Sequence, residues 1–293
     1  MTPAPSALGA PAGTRRLLPA MRVLLGAFAV LTALGTVALF VLATTTEQTF
    51  AWTIQPPLTA AFLGAGYGAG FVLVVLSMRA HTWVDVRLPL LTIFVFVALT
   101  LVATLLHVDK LHFHRDFAAL DPLAKGAAWF WLGVYVVLPV AMLVLLVVQE
   151  RAPGSDPPNR HPVPVVLRAA LGVESVVLLV VGAAMFIAPA TATTLWPWQL
   201  TPFTARVVAA WLLAFGVATA LAAFTGDLER LRTAAVAYTV FGVLVLVAVL
   251  RFPGTVQWGR PVAWVFLVLA VAVVVTGVAG RRAAPVPAGP GRG

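Results

Sequence analysis

The 293-residue chain contains no cysteine. That excludes disulfides, iron–sulfur clusters and thiolate metal sites, and it leaves the redox compartment open. Charge is almost as scarce. Only 10% of the residues are Asp, Glu, Lys or Arg, whereas 61% are hydrophobic and the mean hydropathy is +1.00. A soluble domain of this size would carry roughly a quarter charged residues. Too little polar material is present to cover a water-facing globule, so the apolar surface needs another solvent. Catalytic and nucleotide signatures are missing as well. No G-x-x-x-x-G-K-[ST], G-x-G-x-x-G, H-E-x-x-H or G-x-S-x-G pattern occurs, which argues against those families alone; the cofactor is left unknown, with none expected.

What the chain has instead is long apolar runs. A bilayer core of about 30 Å needs about 20 apolar residues as helix, and eight runs meet or approach that length. They are 21–43, 58–78, 88–107, 126–148, 165–188, 203–224, 231–250 and 261–279. The fold class expected is therefore all-α, a polytopic membrane protein of about eight transmembrane helices. Tails at 1–20 and 280–293 are expected to be disordered. The first run is too long for a signal-peptide core and has a counterpart later in the chain, so it is counted as a span. Pro57, Pro89, Pro202 and Pro261 open or nearly open spans, and Pro139 is placed to kink the fourth.

The net charge of +9 does not form a stripe suited to nucleic acid. The basic residues cluster at span ends. With the N-terminus inside, 13 of the 19 Lys and Arg fall on the inner side, which places both termini in the cytoplasm. The segment from His107 to Lys125 is basic yet external in this scheme. Trp52, Trp196, Trp198 and Trp258 mark the outer ends of spans, as an interfacial belt would.

The runs also repeat. Pro57-Leu58-Thr59-Ala60 matches Pro202-Phe203-Thr204-Ala205. Arg22-x-x-Leu25-Gly26 matches Arg168-x-x-Leu171-Gly172. Arg87 falls on Arg232, and Ala128-Trp129 on Ala263-Trp264. Similar anchors at matching places in the span order point to a tandem duplication, 21–148 and 165–279, joined by a Pro-rich cytoplasmic linker at 149–164. An even number of spans per half makes the halves parallel, with a pseudo-axis along the membrane normal. In the second run Gly64, Gly66, Gly68 and Gly70 make a flat groove, and at Gly66 and Gly70 the second half carries Trp211 and Phe215. A Trp/Phe ridge of this kind fits such a groove.

Thr53-Ile-Gln-Pro-Pro-Leu-Thr-Ala, Trp196-Pro-Trp-Gln-Leu-Thr-Pro-Phe-Thr-Ala-Arg, the His107–His114 segment and Ala128-Trp-Phe-Trp-x-x-x-x-Tyr135-x-x-x-Pro139 together resemble a group of uncharacterised bacterial multi-pass membrane proteins. The resemblance implies a bacterial cytoplasmic membrane location and no activity.

Two sets of polar residues stand out. Glu174 lies six residues past Arg168, about 9 Å into the fifth span. A carboxylate there costs several kcal/mol unless it is paired, protonated or facing water. Arg232 and Arg87, at the inner ends of their spans, are candidate partners. These three residues outline a small-ligand or transporter-like site between the halves. The alternative is a metal site or membrane enzyme built on His107, Asp109, His112 and His114, because imidazole suits Zn and Cu. Lys110 and Arg115 oppose a cation there, and nothing nearby suggests a haem pocket. A third reading is a structural or partner-binding membrane subunit without a ligand.

The topology is directly testable. Reporter fusions after Ser155 and Gly226 are expected to read as cytoplasmic, and those after Glu47 and Thr193 as external. A cytoplasmic signal at Thr193 would break the eight-span scheme.

Overall fold

The structure, a computed structural model, describes residues 13–159 and 161–284. The tails before Gly13 and after Ala284, and the inner-side charges Arg160 and Arg292, lie outside the described residues. Among the described residues eight helices are long and apolar enough to cross a membrane. They are α1 (Pro19–Thr36, extended by a π-helical turn Val37–Val41), α2 (Pro57–Ser77), α3 (Trp83–Leu105), α4 (Pro122–Glu150), α5 (Val165–Ile187), α6 (Pro202–Thr225), α7 (Leu228–Arg251) and α8 (Pro261–Ala283).

Local chemistry explains the boundaries. Proline opens α1, α2, α4, α6 and α8, where its missing N–H has no intrahelical partner in any case. Thr201 accepts from the Thr204 N–H (3.3 Å) and Asp227 from the Glu229 N–H (3.0 Å), capping α6 and α7. Gly226 sits at φ +69° after α6, the left-handed position that ends helices and favours glycine. The third span starts earlier than its apolar run. Asp85 lies in the first turn and accepts from Thr82 Oγ1, so α3 begins at Trp83 and Pro89 falls inside it.

Burial separates a centre from a rim. In the most apolar stretch of each span, 83% of α2 and 61% of α6 is buried, then 44% of α3 and 39% of α7. The value is 28% for each of α1, α4, α5 and α8. The order is the same in the first four helices as in the last four. The packing follows it: α1 lies along α2, α5 along α6, α3 against α4 and α7 against α8, while α2 packs on α7 and α3 on α6 across the centre.

Close approach at the centre depends on the α2 glycines. A Cβ on Gly66 would lie 2.6 Å from Trp211 Cε2, and Gly64 rests on the backbone of Leu39 and Phe40 in the π turn of α1. Trp211 also stacks on Phe96 of α3 (centroids 3.8 Å apart). Phe215 turns away from the groove and packs on Phe241 of α7. Trp52, Trp196 and Trp198 lie at the ends of their spans but point inward, each at most 3% exposed. Their rings join Phe50, Trp131, Phe203, Phe62 and Phe266, so they bind segments together where a belt would face lipid. The exposed tryptophans are Trp129 (62%) and Trp264 (56%).

On the face that carries both described ends, Gly13–Leu18 runs extended. Arg15 N–H donates to Ser155 O (3.1 Å) and Trp83 N–H to Arg15 O (2.9 Å). Buried Gln149 accepts from Leu18 N–H (2.8 Å) and donates to Arg16 O (3.0 Å). The start of the linker is thereby fixed to the first helix.

Gly66→Val should lower stability by about 1–3 kcal/mol, the usual effect of overpacking a filled site. It would be read as a lower Tm in detergent. Gly26→Ala is the control, because a Cβ there meets nothing within 4 Å. An unchanged Tm for Gly66→Val would mean that Trp211 is not seated on α2.

Candidate functional site

Glu174 is nine residues into α5, about 13 Å from its start and so near mid-membrane. It is 8% exposed. Thr276 Oγ1 of α8 donates to its Oε1 (2.6 Å) and Tyr238 OH of α7 to its Oε2 (3.1 Å). Among the described residues no guanidinium reaches it. Arg87 instead pairs with Glu150 and, at 3.0 Å, with Asp156. Arg15 joins the same cluster, 3.4 Å from Glu150, and Trp83 Nε1 donates to Glu150 (2.5 Å). Arg232, near the start of α7, is partly buried and makes no ion pair with Glu174. The three residues expected to meet are thus kept apart. Glu174 is satisfied by hydroxyls within the second half, and Arg87 serves the linker. Tyr238 and Thr276 also line a cavity of about 80 Å³ between the halves, closed on the other side by Leu73, Leu88 and Thr92.

The histidines are also separated. Among the described residues no three His, Cys, Asp or Glu side chains come together to hold a metal ion. His112 is fully buried. Its Nδ1–H donates to Phe50 O (2.8 Å), which leaves Nε2 to accept from Thr53 Oγ1 (3.0 Å), and His112 N–H donates to Ala51 O (2.9 Å). Both ring nitrogens are therefore spent on folding the α1–α2 connection against the α3–α4 one. His107 Nε2 accepts from Arg206 (2.7 Å), whose Nε donates to Phe186 O (3.0 Å). His114 lies 3.4 Å from the Asp116 carboxylate, and Asp109 pairs with Lys110 at 2.7 Å. Burial holds the ring of His112 below its ordinary pKa of 6.5. Burial and then the Arg206 guanidinium do the same for His107.

A larger space lies elsewhere. A cavity of about 360 Å³ separates α1 from α4, which barely touch each other. Its back wall is Tyr67, Ala69 and Gly70 of α2 and Thr92 and Phe96 of α3, with Trp211 and Phe215 reaching in from α6. Its rim is formed by Leu34 and Val37 of α1 and Phe130 of α4, each at least half exposed on the surface that would face lipid. The lining is almost entirely carbon. Among its lining residues, Tyr67 OH and Tyr135 OH meet at 2.5 Å, both side chains buried. Thr32 and Thr92 turn their hydroxyls onto Phe28 O (2.6 Å) and Leu88 O (2.9 Å) of their own helices. A smaller cavity of about 240 Å³ occupies the corresponding place between α5 and α8.

No protein-family model, no curated protein and no solved structure matches the chain. The resemblance to bacterial multi-pass proteins thus rests on the quoted sequence motifs alone, and the polytopic helical architecture rests on the eight apolar helices.

The cavity was not visible in sequence, but a signal toward it was. The chain has 3 tyrosines, and all of them, Tyr67, Tyr135 and Tyr238, lie inside spans and not at their ends. A phenol in that position must find a partner in hydrocarbon. Which phenols meet depends on helix packing, and no periodicity records that.

The fully buried His112 and the half-buried His107 give a pH dependence with a definite sign. Their folded pKa lies below the ordinary 6.5, so the unfolded chain binds more protons in acid. The stability they contribute is complete above about pH 6.5 and is lost as pH falls below it. The Tm in detergent is expected to drop between pH 7.5 and pH 5. His112→Gln should be less stable at pH 7.5 and show a shallower drop, the remainder belonging to His107. An equal slope in His112→Gln would show that His112 is not held neutral.

Proposed function

We propose that this protein is a ligand-binding protein of a bacterial cytoplasmic membrane, with both termini inside, that takes a small apolar molecule from the bilayer into the cavity between α1 and α4. The observation that carries this reading is the cavity itself. About 360 Å³ falls within the range of small-molecule sites, about 300–1,000 Å³. Its mouth opens between two lipid-facing helices, and its wall offers carbon nearly everywhere. A polar solute would lose its hydration there and gain few hydrogen bonds. A molecule already dissolved in the bilayer loses nothing of that kind.

A tandem duplication supports the architecture under this proposal. Matched residues share environments: Ala128 and Ala263 are at most 1% exposed beside the exposed Trp129 and Trp264, and Thr59 and Thr204 are both buried. Each half also holds its cavity between its first and fourth helix. The Glu174 cluster fits a structural tie of α5 to α7 and α8, because its acceptors are met by two hydroxyls of the same half.

The test uses 1-bromododecane, whose bromine quenches tryptophan emission on contact. Trp131 and Trp211 line the cavity. Titration into detergent-purified protein should give saturable quenching. In the double variant Ala38→Phe/Gly70→Phe, which fills the cavity and leaves room for each new Cβ at position 70, the saturable phase should fall at least tenfold in affinity, a loss of about 1.4 kcal/mol or more. Non-saturable quenching that is equal in both proteins would refute the cavity as a binding site. The near-UV spectrum of the variant checks that it is folded.

A further inference from the structure

The cavity has donors to spare. Tyr67 and Tyr135 share one hydrogen bond but carry two hydroxyl hydrogens, so whichever phenol accepts keeps its own hydrogen unspent. Trp211, 6% exposed and lining the same cavity, has its Nε1–H without a partner. An indole N–H donates and never accepts. The remaining hydroxyls, on Thr32, Thr49 and Thr92, are already donating to backbone carbonyls. The polar inventory of this apolar space thus leaves two hydrogens unspent, and the acceptors within it are hydroxyl oxygens already engaged as donors or acceptors. Buried polar hydrogens of this kind are ordinarily satisfied, and leaving one unmet costs about as much as a lost hydrogen bond. Water accepts from the same donors but fills little of the space and turns its own hydrogens toward a wall that is nearly all carbon, whereas an apolar molecule with one acceptor oxygen matches both parts of the cavity.

We infer that the ligand is an apolar molecule carrying a neutral acceptor oxygen, a carbonyl compound of the ketone or aldehyde kind, bound with that oxygen at Tyr67, Tyr135 and Trp211. This rests on the cavity being the binding site. Depth selects among sources of such an oxygen. Tyr67 is ten residues past Pro57, about 15 Å along α2, which is the middle of a hydrocarbon core about 30 Å thick. The ester carbonyls of a bilayer phospholipid lie beside its head group at the interface. One of them reaches Tyr67 only by dragging the head group into hydrocarbon. A free single-chain carbonyl compound reaches it without that penalty.

The experiment compares dodecan-2-one, dodecane and dioleoylphosphatidylcholine as ligands of the detergent-purified full-length protein. Affinity is read by competition with 1-bromododecane. Infrared spectroscopy of the ketone labelled with carbon-13 at its carbonyl reads the hydrogen bond. Dodecan-2-one should bind about threefold to tenfold more tightly than dodecane, as one neutral hydrogen bond warrants. Its carbonyl band should move to lower frequency on binding, and the phospholipid should compete weakly. In Tyr67→Phe/Tyr135→Phe and in Trp211→Phe the ratio of ketone to dodecane affinity should fall toward one and the band shift should shrink or vanish, each ratio being taken within one variant so that a change in cavity shape cancels. Equal binding of ketone and alkane to the unmodified protein, without a band shift, overturns the acceptor inference and leaves the cavity reading standing. Absence of binding by both overturns the two together. A ketone preference that survives in both variants overturns the assignment to these donors. Effective competition by the phospholipid overturns the choice of a single-chain ligand.

Discussion

Helices in hydrocarbon gain little from hiding one apolar side chain behind another, since lipid tails solvate leucine as well as a neighbouring helix does. What remains to hold a bundle together is the closeness with which backbones and rings approach. In this chain that closeness is set by the glycines of α2, on more than one side of the helix. Gly64 admits the π turn of α1, Gly66 admits the indole of Trp211, and Gly68 lies against Leu244 of α7. Three neighbours from both halves of the chain therefore pack closely on this one helix. The consequence reaches the cavity. Trp211 can stack on Phe96 and meet Tyr67 edge-on only because Gly66 has no side chain in its way.

The same solvent dictates what happens to polar atoms. Arg251 places its guanidinium on the carbonyls of Phe40 and Val41, which the π turn leaves without ordinary helical partners. Trp198 Nε1 donates to Thr59 (2.8 Å) and Trp131 Nε1 to Thr104 (3.0 Å). Glu174 finds two hydroxyls, and Gln149 finds two backbone groups. Some buried groups go without a partner, among them the indole N–H of Trp52 and Trp196, but only around the large cavity do unspent hydrogens border a space of ligand size.

Much of the architecture could be read directly from the residues, because hydropathy over about 20 residues is a strong one-dimensional signal. The eight runs became eight helices, with starts displaced where polar residues extend a helix beyond the hydrocarbon, as at Trp83. The inferred seat of Trp211 on the glycine groove was also legible, since small-residue spacing constrains what packs there. The surroundings of single polar residues were not. Arg87 and Glu174 share the half of the bundle nearer the described chain ends, yet the linker carboxylates Glu150 and Asp156 capture Arg87, and these lie more than sixty residues away in sequence. His112 and His114 are two residues apart and diverge, one into the protein and one toward Asp116. Pattern fixes faces of helices, whereas loop conformation decides where the histidines point.

The proposed duplication also accounts for why the site lies on one side of the molecule. Gly66 packs on Trp211, its own counterpart at offset 145, which is where a two-fold pseudo-axis between α2 and α6 would bring matched positions together. Carrying the other cavity residues across gives Leu212 for Tyr67, at the same offset, and Ala270 for Tyr135, at the offset of 135 that relates Ala128 to Ala263. Leu212 and Ala270 do line the second cavity. A symmetric pair of lateral clefts is what duplication of a four-helix unit leaves behind by geometry alone. A hydroxyl pair in one cleft, facing two apolar residues in the other, is a difference that packing does not require. Leucine and alanine fill the second cleft adequately, and the first would tolerate phenylalanine at both tyrosine positions without losing ring packing. The phenolic oxygens therefore separate the two clefts chemically, one able to hold an acceptor oxygen at mid-membrane through this pair and the other without it.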